Sequence, residues 1–388
     1  MTQDSNYPES RKQVSGQPFR RDNKVLDESI KSHSDRPDLS NKFCHHPFDN
    51  FEPSEGGAVG VCCLAWLPQL IGNLNTETMD EIYNSPKAQD IRASILDGSF
   101  KYCDHRVCPL IQSGNLKNRD EVVNPRHRDI IDNNNLVMNH PTHINFVYDK
   151  SCNLSCPSCR VTKINHVSGE MYESRLKIHN KLIESLFAKD LVDGCTLSIT
   201  GSGDPFASKI FRDFLMEFDG RKYPNVKIDL QTNGTMLTPK MWDSIYKVHD
   251  NLGQIIVSFD AALKSTYEVV RRDGDWDLLV ENVKFLGQKR LENKIKILRL
   301  DFVVQDLNYQ EMPHFVTLAK SFGGIDRVHF AMVVDWGTWD KETFNQRAIW
   351  RKGHPDLNSF MVILKSQELK DPIVQMTNLS SYFVEANR

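Results

Sequence analysis

The fold is read from Tyr148-Asp149-Lys150-Ser151-Cys152-Asn153-Leu154-Ser155-Cys156-Pro157-Ser158-Cys159-Arg160. Three cysteines at C-x3-C-x2-C spacing share one loop, directly behind the strand-like run His143–Tyr148. Three thiolates on such a loop can hold three irons of a cubane cluster, which leaves the fourth iron without a protein ligand. A metal with an open position can bind a cofactor or substrate.

Downstream of this loop, strand-like and helix-like stretches alternate. Expected strands are His143–Tyr148, Cys195–Thr200, Val226–Gln231, Gln254–Phe259, Ile295–Val304 and Arg327–Val334. Expected helices are Glu170–Lys189, Ile210–Asp219, Pro239–Val248, Leu278–Leu291 and Gln310–Ser321. Six such units predict a parallel sheet with helices outside, as an open barrel or a doubly wound sheet. Either arrangement places ligands at the carboxyl ends of the strands.

Upstream of the loop the composition differs. Residues 1–41 are polar and lack apolar periodicity, and they read as a disordered arm. Residues 42–112 carry Cys44, Cys62, Cys63, Cys103 and Cys108 with modest apolar content, so bound metal would help them fold. Residues 113–141 are an Asn-rich connector, residues 142–340 the α/β core, and residues 341–388 a C-terminal helical cap. Cys195 reads as a small buried strand residue. The formal net charge of −3 provides no basic field for nucleic acid. The chain has neither an apolar run of membrane-spanning length nor a signal-peptide pattern, so a cytoplasmic location is expected.

The three-cysteine loop after the first strand of a six-unit β/α run resembles the radical S-adenosylmethionine superfamily. The resemblance covers about residues 142–340. It implies a partial (β/α)6 TIM-like barrel of parallel strands. It also implies a [4Fe–4S] cluster on Cys152, Cys156 and Cys159 that binds S-adenosylmethionine. Ser158 stands where the family often has an aromatic residue. Thr200-Gly201-Ser202-Gly203-Asp204-Pro205 resembles the family's glycine-rich cofactor segment, with Asp204 in place of the usual Glu. By the same resemblance Asn233, Ser258, Arg272 and Phe330 join Gly201, Ser202, Gly203 and Asp204 around the cofactor. Asp335, Trp336 and Trp339 are candidate substrate contacts, and His329 reads equally as a core histidine.

The upstream cysteines, with Gly57, Gly72-Asn73-Leu74, Arg92 and Cys108-Pro109, resemble the SPASM or shorter twitch extension. That resemblance implies one auxiliary [4Fe–4S] cluster on Cys44, Cys62, Cys103 and Cys108. Cys63 is the spare, because neighbouring residues of an extended 61–64 segment point to opposite faces. The extension normally follows the barrel, whereas here it precedes it. A four-thiolate zinc site is the competing reading. The expected activity is reductive cleavage of S-adenosylmethionine to a 5′-deoxyadenosyl radical that abstracts hydrogen from a substrate C–H bond. The expected substrate is a sugar- or aminocyclitol-like metabolite or a ribosomal peptide, and an electron donor such as flavodoxin or ferredoxin would be needed. A non-catalytic iron–sulfur or zinc-stabilised binding protein is the rival from another class.

Overall fold

The computed structural model describes residues 37–64, 66–105, 108–188 and 194–388. The expected polar arm therefore lies outside the described residues except for 37–41, as does the expected helix end at Lys189. Among the described residues there are twelve short strands: β1 Lys42–Phe43, β2 Asn50–Pro53, β3 Ala58–Gly60, β4 Gly72–Asn73, β5 Lys117–Asn118, β6 His143–Phe146, β7 Thr196–Ile199, β8 Lys227–Thr232, β9 Leu252–Ser258, β10 Ile297–Val304, β11 Arg327–Met332 and β12 Val374–Gln375. Ten of them form one sheet in the order β12-β11-β10-β9-β8-β7-β6-β2-β3-β4, while β1 and β5 form a separate antiparallel pair.

The six strands β6 to β11 are in sequence order and pair in parallel throughout. The sheet is large, mostly parallel and open, as a partial TIM-like barrel requires. Each expected strand is present with ends shifted by a few residues. The crossover helices start where a side chain can accept from an otherwise unpaired backbone N–H. Ser208 caps helix Lys209–Glu217, Thr238 caps Pro239–Ser244, and Asp275 caps Trp276–Leu291. The expected helix Pro239–Val248 is shorter than the sequence suggested. It stops at Ser244 and tightens into a 3-10 turn over Tyr246–Asn251.

Alternation along the strands separates the two faces of the sheet. Ile144, Phe146, Leu197, Ile199, Leu230, Leu300, Phe302 and Phe330 are fully buried. The aromatic members pack with helix residues: Phe146 lies against Phe211 and Phe214, and Phe302 and Phe330 against Phe315. Each buried Phe contributes about 2–3 kcal/mol of apolar transfer free energy. The intervening positions carry His143, Asn145, Ser198, Asp229, Gln231, Ser258, Asp301 and His329, so the other face is polar.

Two joints place the upstream cysteine unit. Strand β2 pairs in parallel with β6, Asn50 opposite His143 and Phe51 opposite Ile144, so the unit extends the core sheet. At the far edge, the turn Thr377–Leu379 is fixed to β11. Thr377 Oγ1 donates to Phe330 O (2.7 Å), and Met332 N donates to Asn378 Oδ1 (2.8 Å). That turn also packs against helix Pro109–Gln112, which begins directly after Cys108. The two edges of the open barrel are thus bridged by the cysteine unit and the C-terminal segment. No described helix is long and apolar enough to cross a membrane.

Candidate active site and auxiliary metal centre

The loop that follows β6 is built on buried Asp149. Its Oδ1 accepts from Ser151 N (3.0 Å) and Ser151 Oγ (2.8 Å), and its Oδ2 accepts from Ser208 Oγ (2.7 Å). Cys152 N donates to Ile164 O (2.8 Å), which closes the loop at its far side. Cys159 N and Arg160 N both donate to Cys156 O, forming a turn that brings the second and third cysteines together.

Every sulfur of this loop has its own donor. Leu154 N reaches Cys152 Sγ at 3.5 Å and Asn233 Nδ2 reaches it at 3.8 Å. Arg271 Nη1 reaches Cys156 Sγ at 3.8 Å, and Arg160 Nη2 reaches Cys159 Sγ at 3.3 Å. Hydrogen bonds and positive charge at thiolate sulfurs favour the anionic form and raise the potential of a cluster they hold. Burial works the other way: it pushes the Cys152 thiol up to about 11 and also raises Cys156, where Arg271 opposes it. Metal binding must therefore displace protons from these thiols.

The glycine-rich segment after β7 lies against the cysteine loop. A Cβ on Gly203 would stand 2.6 Å from Ser151 O and 2.9 Å from Asp149 O, so only glycine permits this approach. Arg160 fastens the two segments, donating to Lys150 O (2.7 Å) and Ser202 O (2.9 Å). Asp204 is buried and its carboxylate is already in use. It accepts from Thr232 Oγ1, Asn233 N, Phe206 N and Ala207 N at 2.7–3.3 Å. In this arrangement Asp204 ties the β7 loop to the end of β8 and holds Asn233 beside Cys152.

The remaining expected cofactor and substrate residues fall in three places. Ser202 Oγ donates to Val147 O (2.8 Å), while a Cβ on Gly201 would meet Gln231 Oε1 no closer than 4.0 Å. Ser258, at the carboxyl end of β9, pairs with Asp301 in β10. Arg272 braces the loop, with Nε on Ser155 Oγ (3.0 Å) and Nη2 on Val161 O (2.8 Å). Its neighbour Arg271 pairs with buried Asp260 at 2.7 Å and reaches the sulfur. Phe330 is packed among Phe302 and Phe315 on the helix side of the sheet. Asp335 accepts from Gly337 N (2.8 Å), Trp336 is exposed, and Trp339 packs with Val333 and Phe344. That segment reaches the cysteine loop through Thr338, whose Oγ1 donates to Pro157 O (2.8 Å).

Upstream, Cys44, Cys62, Cys103 and Cys108 converge. Burial pushes Cys44 up to about 12, with Cys108 adding to the shift. Burial likewise raises Cys62, which also feels Cys44, Cys63 and Cys103, and raises Cys103, which also feels Cys44 and Cys108. The segment around Cys62 and Cys63 is bent and contains no strand, so the two do not alternate as an extended run would. Cys62 is buried and Cys63 half-buried. Tetrahedral zinc with Zn–S of about 2.3 Å would set the thiolates about 3.8 Å apart. Among the described residues no three thiols lie within 4.8 Å of one another.

Arg92 underlies this unit. It is fully buried and donates to Pro47 O, Tyr83 O, Leu136 O and Asn84 Oδ1, with its guanidinium over the Tyr83 ring.

Residues 44–109 match the SPASM family model, an iron–sulfur cluster-binding domain. The segment is similar to SPASM domains. This match bears out the expected SPASM-type extension upstream of the three-cysteine loop. The matched model describes a domain that binds an iron–sulfur cluster, the kind of centre expected of the upstream cysteines. No curated protein matches the chain. Among solved structures, a hexahistidine-tagged anSMEcpe with bound AdoMet is 22% identical over 50% of this chain and 51% of that one, with a TM-score of 0.32. The chain thus spans about half the length of that structure.

Several site residues carry little signal in the sequence. Arg160 could have been suspected from its place beside the third cysteine. Arg271 and Arg272 are adjacent, and only the backbone direction decides which one reaches the sulfur. Glu52 was missed altogether. It lies on β2, accepts from Asn145 Nδ2 at 3.0 Å, and sits where that strand passes from pairing with β6 at Asn50 and Phe51 to pairing with β3 at Glu52 and Pro53. Burial pushes Glu52 up to about 7, with the Asn145 hydrogen bond opposing.

Proposed function

We propose that Cys152, Cys156 and Cys159 hold the radical-generating [4Fe–4S] cluster, and that Cys44, Cys62, Cys103 and Cys108 hold the auxiliary one. The observation that carries this reading is the separate hydrogen-bond donor on each loop sulfur, drawn from the loop itself, the end of β8 and the segment after β9. When bound, the cluster supplies one electron to S-adenosylmethionine and so gives a 5′-deoxyadenosyl radical.

The chain's own residues supply orientation and exclusion of water. Asp149, Arg160 and Arg272 brace the cysteine loop through Ser151, Lys150 and Ser155. Gly203 lets the glycine-rich backbone lie against it, so that its peptide groups border the place where the cofactor would sit. Asn233 and Ser258 stand at the carboxyl ends of neighbouring strands, within the same mouth. The substrate meets the polar wall of Asn145, Ser198, Asp229 and Asp301, with the Asp335–Trp339 segment at the rim. This wall suits a hydroxyl- or amine-bearing molecule, of the sugar, aminocyclitol or peptide kind.

Anaerobic reconstitution followed by reduction with dithionite tests the reading. The expected product is 5′-deoxyadenosine, formed by the reconstituted chain and absent from the Cys156→Ala variant. A fully loaded, reduced chain that forms none would overturn the proposal.

A further inference from the structure

We propose that His45, Asp49 and His127 form a third metal site, for a single divalent cation of the zinc type. The proposal does not depend on either cluster. His45 Nδ1 lies 2.9 Å and His127 Nε2 2.8 Å from the same oxygen, Asp49 Oδ2. The three candidate ligand atoms all lie within 4.8 Å of one another. Ligands about 2.1 Å from a tetrahedral zinc-type ion would stand about 3.4 Å apart. The two measured separations are about half an ångström shorter, so the two imidazoles and the carboxylate must open slightly to admit the ion.

Three further observations favour a cation over a plain hydrogen-bonded cluster. The imidazoles of His45 and His127 are stacked, with centroids 5.3 Å apart and planes 25° apart, so both present nitrogen to one side. Asp49 Oδ1 is buried and has no hydrogen-bond partner. It faces Arg126 Nε in an ion pair at 3.5 Å. The guanidinium is also held by Phe48 O and His140 O, so it fixes the carboxylate from behind and leaves Oδ2 to the histidines. Finally, the His45 side chain is 49% exposed while those of Asp49 and His127 are mostly covered, which gives an ion a path from solvent and room for water ligands. Two imidazoles and one carboxylate with open positions suit zinc, cobalt or ferrous iron.

The metal would take His45 Nδ1 and His127 Nε2, the nitrogens that now face Asp49 Oδ2. The ion would join the SPASM segment beside Cys44 to helix Pro125–Asn133, which lies outside the matched segment.

Cobalt(II) is the probe, because oxidised [4Fe–4S] clusters give no EPR signal while high-spin cobalt does. Full-length protein with both clusters reconstituted is stripped of loose metal, loaded with Co²⁺ and desalted anaerobically. One retained cobalt per chain is expected, with a high-spin signal that Zn²⁺ abolishes. His127→Gln and Asp49→Asn are each expected to weaken retention at least tenfold with iron content unchanged. No cobalt held by the wild-type chain would overturn the proposal, whatever the variants do. So would equal retention by His127→Gln.

Discussion

At Gly203 the backbone of one loop touches the backbone of another, and a single methyl group decides whether they can. A Cβ 2.6 Å from Ser151 O cannot be accommodated without moving the cysteine loop. Gly203→Ala is therefore expected to cost about 1–3 kcal/mol and to lower iron bound at Cys152, Cys156 and Cys159 while leaving the auxiliary iron in place. Iron and sulfide assays on the reconstituted variant would check this. Arg271 gives a second test. It neutralises buried Asp260 and approaches Cys156, so Arg271→Met leaves a carboxylate unpaired in the interior. The expected loss is about 3–5 kcal/mol, measurable by denaturant unfolding, together with a more negative cluster potential. The cysteines and Gly203 were legible in the sequence because their chemistry and spacing are unusual. The division of labour between Arg271 and Arg272 was not, since it depends on a local turn that no periodicity records.

Among the elements, β2 matters most to the site. It is four residues long, yet it carries the SPASM-like segment into the core sheet and sets Glu52 beside Asn145. Burial holds the Glu52 carboxyl at about 7, above its ordinary value of 4.5. The folded chain therefore binds this proton more tightly than the unfolded chain. The resulting stability is present below about 4.5 and is lost as pH rises to about 7. Glu52→Gln is expected to be more stable than wild type at pH 8 by on the order of 1–3 kcal/mol, with the difference vanishing near pH 4.5. Thermal melts at the two pH values would show it.

Helix Pro86–Leu96 presents Arg92 to three carbonyls and one side-chain amide oxygen at once. Lysine has three donors and no planar fork. Arg92→Lys should therefore lower auxiliary iron without affecting the loop at Cys152. The six core strands were readable from β-branched runs and their spacing. Strand β2 was not, because a parallel partner far along the chain leaves no local alternation.

Across the whole molecule, two clusters predict about eight irons per chain. The Cys152→Ala variant should keep about half of them. The C-terminal turn Thr377–Leu379 touches both β11 and the helix after Cys108, so it closes a circuit that the strands alone leave open. Truncation before Ile373 is expected to strip this bridge and β12, and to make the SPASM segment the first site of limited proteolysis.

The pairing of β2 with β6 also has a consequence for biosynthesis. Strand β2 leaves the ribosome long before its neighbour is made, and until then its polar backbone edge has nothing to pair with on that side. An early-emerging iron-binding segment that cannot settle until the core begins to assemble needs protection in the interval. Metal loading during translation would provide such protection, and it would make iron supply a determinant of how much of the newly made chain escapes aggregation.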